Sequence, residues 1–569
     1  MSEEKKLAHN EYLKIDSNYL RGTLAEGLAD TSTGGLTEDE QQLLKFHGCY
    51  LQDDRDIRAG RRRHKLEKAF SFLIRVRVPG GVATPAQWIQ MDDLATNYAN
   101  GTLKLTTRQA FQLHGVIKTQ LKKTIQEINA AAMDTIAACG DVNRNVMCNP
   151  NPYLSEAHAE VLKISQEISD HLTPATGAYH EIWLDGEKVE STAEEVEPIY
   201  GKTYLPRKFK IAVAVPPSND VDIHANDLSF VAIVEDSKVV GYNVAVGGGM
   251  GMTHGAEETY PRLADIIGFC LPDQVVDVAE KVILVQRDFG DRTNRKHARL
   301  KYTIDDRSAD WFLEKLNEFL GYNLEPSRPF KFEDNGDRFG WVEDHEGNFH
   351  LNLFIEGGRV RGKAREGLRR IAEIHDGDFR LTGNQNLIIA RVMPEKRPEI
   401  ESLLEEFGLL DSHQQSALRL NSIACVALPT CGLALAEAER GLPGVISDLE
   451  NVIEDTGLRH DAITIRMTGC PNGCGRPFLS EIAFVGRAPG KYNLYLGGGH
   501  AGDRLNKLYR EAVTREEAIA LLDPIIRDYA AHREDGETFG DFVIRAGYVA
   551  ETINGLDFHS NLKPEVTSA

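Results

Sequence analysis

Cys425-Val-Ala-Leu-Pro-Thr-Cys431 and Thr468-Gly-Cys-Pro-Asn-Gly-Cys-Gly475 are the two stretches whose reading decides the fold. Together they space four thiols as C-x5-C, 38 intervening residues, then C-x3-C. Thiolates are soft ligands that select zinc, copper(I) or iron–sulfur clusters. Zinc sites usually pair cysteines two to four residues apart, so the five-residue gap argues against zinc. Four cysteines in two pairs suit a cubane cluster, which four thiolates hold. Gly469, Gly473 and Gly475 permit tight turns around them, and Pro471 fixes φ. Leu433 to Arg440 reads as a helix ended by Gly441 and Pro443, with Thr430 as its cap and Cys431 on its first turn, where free N–H groups favour negative charge. The plainer alternative is four small buried hydrophobes, and the spacing and the glycines favour the cluster over it.

Working outward, 569 residues are too many for one core and suggest several domains. A hydrophobic fraction of 41% and a charged fraction of 27% are those of a globular, water-exposed protein. A formal charge of −21 disfavours nucleic acid or an anionic membrane as the main partner. The leading Met-Ser-Glu-Glu-Lys-Lys lacks an apolar leader and no apolar run is long enough to span a bilayer, which points to the cytoplasm. Cys49, Cys139, Cys148 and Cys270 are scattered and read as core or near-core residues, not a disulfide framework.

Residues 1–68 are polar without a sustained period and read as an arm or extended layer. Lys45-Phe-His-Gly-Cys-Tyr50 and Gln52-Asp-Asp-Arg-Asp-Ile-Arg58 interrupt it with a dense run of functional groups that could equally be a solvated turn. Strands are expected at 72–78, 103–115, 181–185, 210–215, 230–234, 239–246, 481–486 and 492–496, with helices around 86–99, up to about 138, and at 515–533. The tail beyond Asp557 reads as loose. An internal repeat is visible: Leu105-Thr-Thr-Arg-Gln109 returns as Leu381-Thr-Gly-Asn-Gln385, with Gly80-Gly81 ahead of the first copy and Gly357-Gly358 ahead of the second. Cys148 follows Gln109 by 39 residues and Cys425 follows Gln385 by 40. Two mixed α/β halves about a pseudo-twofold axis are expected, only the second carrying a full cysteine set.

The cysteine pattern, with Thr-Gly-Cys-Pro-Asn-Gly-Cys-Gly, resembles the sirohaem-containing sulfite and nitrite reductases. The likeness runs from Ser17-Asn-Tyr-Leu-Arg-Gly22 to Phe539-Gly-Asp-Phe-Val-Ile-Arg-Ala-Gly547 and is strongest to the NADPH-dependent assimilatory sulfite reductases. It implies a mixed α/β (α+β) chain with the three-domain sirohaem reductase fold and its pseudo-twofold repeat. The implied division is an arm at 1–72, a bipartite ferredoxin-like domain at 73–137 plus 338–412, a sirohaem- and substrate-binding domain at 138–337, and a cluster- and sirohaem-binding domain at 413–569. It further implies that Cys425, Cys431, Cys470 and Cys474 hold a [4Fe–4S] cluster, that Cys474 is also the axial ligand of the sirohaem iron, and that Asn472 and Arg108 lie against the cofactors. Arg75, Arg144, Lys208 and Lys210 would face sulfite. The implied reaction is the six-electron reduction of sulfite to sulfide in sulfur assimilation and cysteine biosynthesis, with electrons from an NADPH-oxidising flavoprotein (alpha) subunit or a ferredoxin.

The residues themselves fit that need for positive charge. Lys208 and Lys210 share a face of an incipient strand, Arg75 and Arg77 are likewise two apart, and Arg287 to Lys301 holds six cations against two aspartates. Arginine and lysine can polarise S–O bonds and deliver protons. Gly497-Gly-Gly-His-Ala-Gly502 matches a dinucleotide fingerprint but lacks a βαβ context, so electrons are expected from another protein. Nitrite is the alternative substrate. A non-catalytic iron–sulfur carrier is the alternative class, and it leaves the basic sets unexplained.

Overall fold

The computed structural model describes residues 6–150, 154–186, 195–344, 346–410 and 414–559. Its first half contributes β1 (Cys49–Asp53), β2 (Phe70–Val76), β3 (Val82–Ala83), β4 (Leu103–Leu105), β5 (Phe111–Val116), β6 (Met147–Cys148), β7 (Ile211–Ala214), β8 (Leu228–Glu235), β9 (Lys238–Val246) and β10 (Asp265–Cys270). The second contributes β11 (Gly340–Glu343), β12 (Phe349–Leu353), β13 (Arg359–Val360), β14 (Asp378–Leu381), β15 (Leu387–Val392), β16 (Ser422–Ala424), β17 (Ile465–Thr468), β18 (Ile482–Ala488), β19 (Lys491–Leu496) and β20 (Lys507–Val513). They form four five-stranded sheets, ordered β1-β2-β5-β4-β13, β10-β9-β8-β7-β6, β11-β12-β15-β14-β3 and β16-β17-β18-β19-β20.

The two halves exchange strands. β3 pairs with β14 and β13 pairs with β4, so each half completes the other's sheet. Helix Pro85–Asn97, started by a Thr84–Gln87 capping box with Pro85 in the first turn, puts Trp88 in a stack on Phe379 of the opposite half, ring centres 4.8 Å apart. In both mixed sheets three parallel strands (β6, β7, β8 and β16, β17, β18) are followed by two antiparallel ones. The repeat in the sequence is therefore a pseudo-twofold in the fold.

Register fixes which residues correspond. Gln109 and Gln385 both take left-handed φ, at 50° and 72°, and each side-chain oxygen accepts from the backbone N–H of a following strand: Cys148 at 3.0 Å and Ala424 at 3.2 Å. Cys148 thus corresponds to Ala424, not to Cys425 as the near-equal spacings suggest, and Asn149 is the counterpart of Cys425. Asp222 and Arg476 likewise share a left-handed turn ahead of one 3₁₀ turn. Counting back two residues, Asp220 corresponds to Cys474.

Several sequence expectations are corrected. No strand forms at 181–185: residues 181–183 end helix Ala178–Trp183, whose Tyr179, Ile182 and Trp183 are buried at helical spacing, and their aromatic and β-branched side chains mimic a strand. The segment 103–115 is a hairpin, β4 and β5, folded at Thr106, whose hydroxyl accepts from the N–H groups of Arg108 and Ala110. The helix expected up to about 138 ends at Ala130, and Ala132 turns left-handed. No helix forms at 433–440, because Leu435 and Ala436 donate to the Gly469 carbonyl at 2.7 and 3.1 Å and Glu439 donates to Cys425. The helix starts at Leu442, where Pro443 opens it instead of closing the one before. The first 68 residues hold helices His9–Asp16, Leu24–Ala29, Glu38–Leu44 and Arg58–Arg63, and β1 joins the first sheet. Phe558 is buried against Phe478 and Tyr495, so the chain is anchored past Asp557; the rest of the expected loose tail lies outside the described residues.

Candidate functional site

Cys425 follows β16 and Cys470 follows β17, so both cysteine loops leave the carboxyl ends of neighbouring parallel strands, where open α/β sheets place their ligands. Close packing explains the glycines. A Cβ on Gly469 would lie 2.5 Å from the Ala427 side chain and 2.7 Å from the Ala436 carbonyl. Gly473 has φ +66°, and a Cβ there would lie 2.6 Å from the Met250 carbonyl oxygen. The glycine run 247–251 is thus the cradle in which the second cysteine loop rests, with Met252 N–H donating to Pro471 at 2.8 Å.

All four thiols are free. Burial and the other three sulfurs push Cys425 well above the ordinary thiol range; burial and Cys474 push up Cys431 and move Cys470 to about 11. Cys425, Cys431 and Cys470 are thus held toward the neutral thiol, and thiolates gathered this closely need a shared cationic centre to offset their charge. Among the described residues no three His, Cys, Asp or Glu side chains sit close enough to hold one metal ion. A cubane spreads its four thiolates over four irons, wider than one ion allows, so the donor set fits a cluster and not zinc. Donors already point at sulfur: Gly469 N–H at 3.3 Å from Cys425 and the Asn472 amide at 3.5 Å from Cys470. The Thr430 and Thr468 hydroxyls are buried without a partner among the described residues.

Cys474 is exposed, with basic side chains of the other half turned toward it. Thr107, at the tip of the β4–β5 hairpin, donates to its carbonyl at 2.8 Å. Arg75 on β2 is within electrostatic reach of Cys474, and its guanidinium is clamped by Gln112, 3.1 Å from Nε and 2.8 Å from Nη2, and by the Cys139 sulfur at 3.1 Å. Lys208 and Lys210 also feel Cys474. Both are half-buried, and neither ammonium has a hydrogen-bond or ion-pair partner among the described residues. Burial, then Arg207, Arg299 and Arg144, push Lys208 down to about 7; burial and Lys208 push Lys210 well below its ordinary value. Arg144 is held by the Gly140 carbonyl at 3.1 Å. Arg108 reaches Asn226 at 2.8 Å and the Ile211 carbonyl at 2.6 Å, while its buried Nε has no partner. Such uncompensated cations in an acidic chain fit a polyanionic macrocycle and an anionic substrate.

The run from Arg287 to Lys301 is largely committed elsewhere. Arg292 pairs with Glu11, Arg295 with Asp141 and Arg299 with Asp227, and Lys301 is bound by the Gly249 and Gly251 carbonyls. Sequence reasoning did not single out Lys45, Tyr50 or Arg207. Yet Lys45 is lowered to about 8 by burial and by Arg295, and Arg75 lies 5.9 Å from the Tyr50 ring centre. Nor did it single out Arg55, which donates to the carbonyls of Cys431 at 3.1 Å and Ala434 at 2.7 Å. The signal for Lys45, Tyr50 and Arg55 was present in the dense run at 45–58, and Arg207 adjoins Lys208. Gly497 to Gly502 joins antiparallel β19 to β20 and opens no helix, so it offers no phosphate-binding helix N-terminus.

Residues 164–324 match the nitrite and sulphite reductase 4Fe-4S domain, and 64–131 and 342–407 match the nitrite/sulfite reductase ferredoxin-like half domain. The 4Fe-4S match falls on the half that lacks the four-cysteine set; its one cysteine is Cys270. The chain is 58% identical over 566 residues to the sulfite reductase [NADPH] hemoprotein beta-component of Staphylococcus haemolyticus, covering 98% of this chain and 99% of that one. It is 61% identical to the protein of the same name from Geobacillus kaustophilus, covering 96% and 97%. The solved structure of Mycobacterium tuberculosis NirA superposes with a TM-score of 0.78 at 25% identity, covering 95% and 97%. On these matches the chain belongs to the nitrite and sulfite reductase family.

Proposed function

We propose that this chain is the sirohaem- and [4Fe–4S]-bearing component of an assimilatory sulfite reductase, reducing sulfite to sulfide with electrons from a partner flavoprotein. The observation that carries the reading is the pair of partnerless ammonium groups, Lys208 and Lys210, set with Arg75 around the Cys474 loop of a chain whose net charge is −21. Cys425, Cys431, Cys470 and Cys474 are assigned as cluster ligands, with Cys474 also toward the sirohaem iron; Arg108 and Asn472 are assigned to the cofactors. Bound together, those cofactors supply the electron transfer and the bonding to sulfur.

The protein supplies field, orientation and protons. The Gln112 and Cys139 clamp holds the Arg75 guanidinium in one pose, so its charge is preorganised where S–O bonds become more negative. Arg144 adds charge from the Gly140 turn. Lys208, at about 7, is suited to give a proton to a departing oxygen near neutral pH and to regain it, with Lys210 beside it. Sulfite is favoured over nitrite because two lysines match a doubly charged anion better than a singly charged one.

The relatives are named for NADPH and as a beta-component. On that basis the electron donor is an NADPH-oxidising flavoprotein alpha subunit, with ferredoxin as the alternative, and the site of action is the cytoplasm. Among the described residues no helix is long and apolar enough to cross a membrane. The division at 72/73, 137/138, 337/338 and 412/413 is proposed with this reading; its support is that 73–137 and 338–412 supply most of the two sheets that exchange β3 and β13. The test is the purified cofactor-loaded protein given dithionite-reduced methyl viologen: sulfite should be consumed and sulfide formed. Loaded protein that turns over nitrite but not sulfite would refute it.

A further inference from the structure

The first cysteine loop reaches the outside of the molecule at Cys431. Cys431 is partly accessible, and two residues on, Leu433 is 67% exposed. The segment Arg55–Lys68 lies against this loop. Arg55 N–H donates to the Pro429 carbonyl at 3.3 Å, the Arg55 guanidinium holds the Cys431 and Ala434 carbonyls, and Asp56 pairs with Arg440 at 2.7 Å. Arg55–Lys68 carries seven lysines and arginines against two acids, in a chain whose overall charge is −21. Its helix Arg58–Arg63 has no buried residue, and Arg62, Arg63, His64 and Lys65 are exposed. Arg58 is committed to Asp53, whereas Arg62, Arg63 and Lys65 have no ion-pair partner among the described residues. Ile57, 47% exposed, and Leu66, 55% exposed, add apolar surface. A patch mixing exposed apolar side chains with arginines has the composition of a protein interface, and nothing in the catalytic cleft requires it.

We propose that Arg62, Arg63 and Lys65, with Ile57 and Leu433, form the docking surface for an acidic, flavin-carrying electron donor. The proposal rests on the sulfite reductase reading above. The argument for a flavin is chemical. NADPH gives up a hydride, two electrons at once, whereas a cluster accepts one, and a flavin can take the pair and release electrons singly. Each encounter oxidises the donor by one electron and reduces this chain by one, with no bond made or broken, and six encounters supply one sulfite. The argument for acidity is electrostatic. Over most of its surface this chain repels an acidic protein, so the basic segment directs such a partner to the edge of the Cys431 loop.

The probe is oxidised flavodoxin, a small acidic flavoprotein, titrated by calorimetry into the cofactor-loaded chain at low ionic strength. Wild type should bind it with an affinity that falls steeply as salt rises. The triple variant Arg62→Glu, Arg63→Glu, Lys65→Glu should weaken binding at least about tenfold and flatten the salt dependence. Lys163→Glu, Lys238→Glu, Arg370→Glu makes the same change in net charge at exposed positions elsewhere and should stay within about twofold of wild type. Viologen-driven sulfite reduction should be unchanged in both variants, which shows that they fold. Equal weakening in the two variants, an unaffected 62/63/65 variant, or no binding by wild type would each overturn the docking surface. Loss of viologen-driven sulfite reduction in wild type, with the binding difference intact, would instead count against the sulfite reductase reading.

Discussion

Replacing Lys210 by asparagine should separate sulfite from nitrite. Lys208 and Lys210 lie two residues apart where the chain enters β7, so their ammonium groups approach the cleft from one side about 6.6 Å apart along the backbone. Neither has a partner among the described residues, and burial and Lys208 push Lys210 away from the charged state. A unit charge about 4 Å from a singly charged anion is worth about 4 kcal/mol at an effective dielectric of about 20, and twice that for a dianion. Desolvation and the remaining lysine recover most of this. The net loss for sulfite should be about 1–3 kcal/mol of transition-state stabilisation, or about 5- to 150-fold in kcat/KM, as for other hydrogen bonds to charged groups. Nitrite should lose less, or gain.

The assay is kcat/KM for both anions in wild type and Lys210→Asn, with reduced methyl viologen, at fixed pH and ionic strength. An equal fall for both anions would refute the reasoning, since Lys210 would then be a common proton donor and not a discriminator. A wild type that prefers nitrite would overturn the sulfite assignment itself.

Cys474→Ser should lose cluster iron and alter the visible bands of the haem, whereas full iron content with an unchanged spectrum would remove Cys474 from the ligand set. In the cofactor-free chain Lys208 sits at about 7 against an ordinary 10.5, so between those values the unfolded chain binds a proton that the folded one lacks. Stability should therefore rise with pH across that window and fall as pH drops through it, by at most about 5 kcal/mol and less where cleft water screens the charge. Denaturant titrations of Lys208→Met should show a flatter pH dependence. Asp222→Asn leaves the buried Arg466 and Arg476 without their carboxylate and should cost about 3–5 kcal/mol, seen as a fall in Tm with the left-handed turn still tolerated. The isolated chain should not oxidise NADPH, as absorbance at 340 nm would show.

What was legible in the sequence was what short spacing encodes. Four cysteines, three glycines and a repeated Thr-x-x-Gln sit close together in the chain, so their chemistry could be read without knowing the fold. The strand exchange was not legible: β3 and β13 are two-residue strands whose partners come from the other half, and no local pattern marks them. Residues 433–440 have helical composition, but their N–H groups are claimed by Gly469 and Cys425 from outside the segment. The value of Arg55 depends on a contact 376 residues away. Lys208 and Lys210 could be named from their alternation, but that they lack counter-charges, unlike Arg292, Arg295 and Arg299, is a property of the packing.

The pseudo-twofold makes the placement of charge interpretable. β2 and β5 pair Arg75 with Gln112; β12 and β15 pair Asn352 with Ile388 in the same register. By that register and the turns, Arg75, Arg108, Lys210 and Cys474 correspond to Asn352, Asn384, Thr464 and Asp220. The second location is a cavity of about 240 Å³ lined by Asn149, Asp220, Asp337, Asn352 and Ile388 among others. There burial and Asp337 raise Asp220, and burial raises Asp337, so two carboxyl groups stand where the other half has Cys474 and its basic neighbours, although Arg338 also lines the cavity. The same backbone, used twice, thus presents basic side chains around Cys474 in one copy and paired carboxyl groups in the other. The two meet where Asp222 and Arg476, themselves counterparts, form an ion pair across the axis. A carboxylate on one half and a guanidinium on the other at that shared position favour the mixed pairing of halves over a symmetric one, since two of either would bury like charges. The basic residues therefore gather on the side where Cys474, not Asp220, closes the turn.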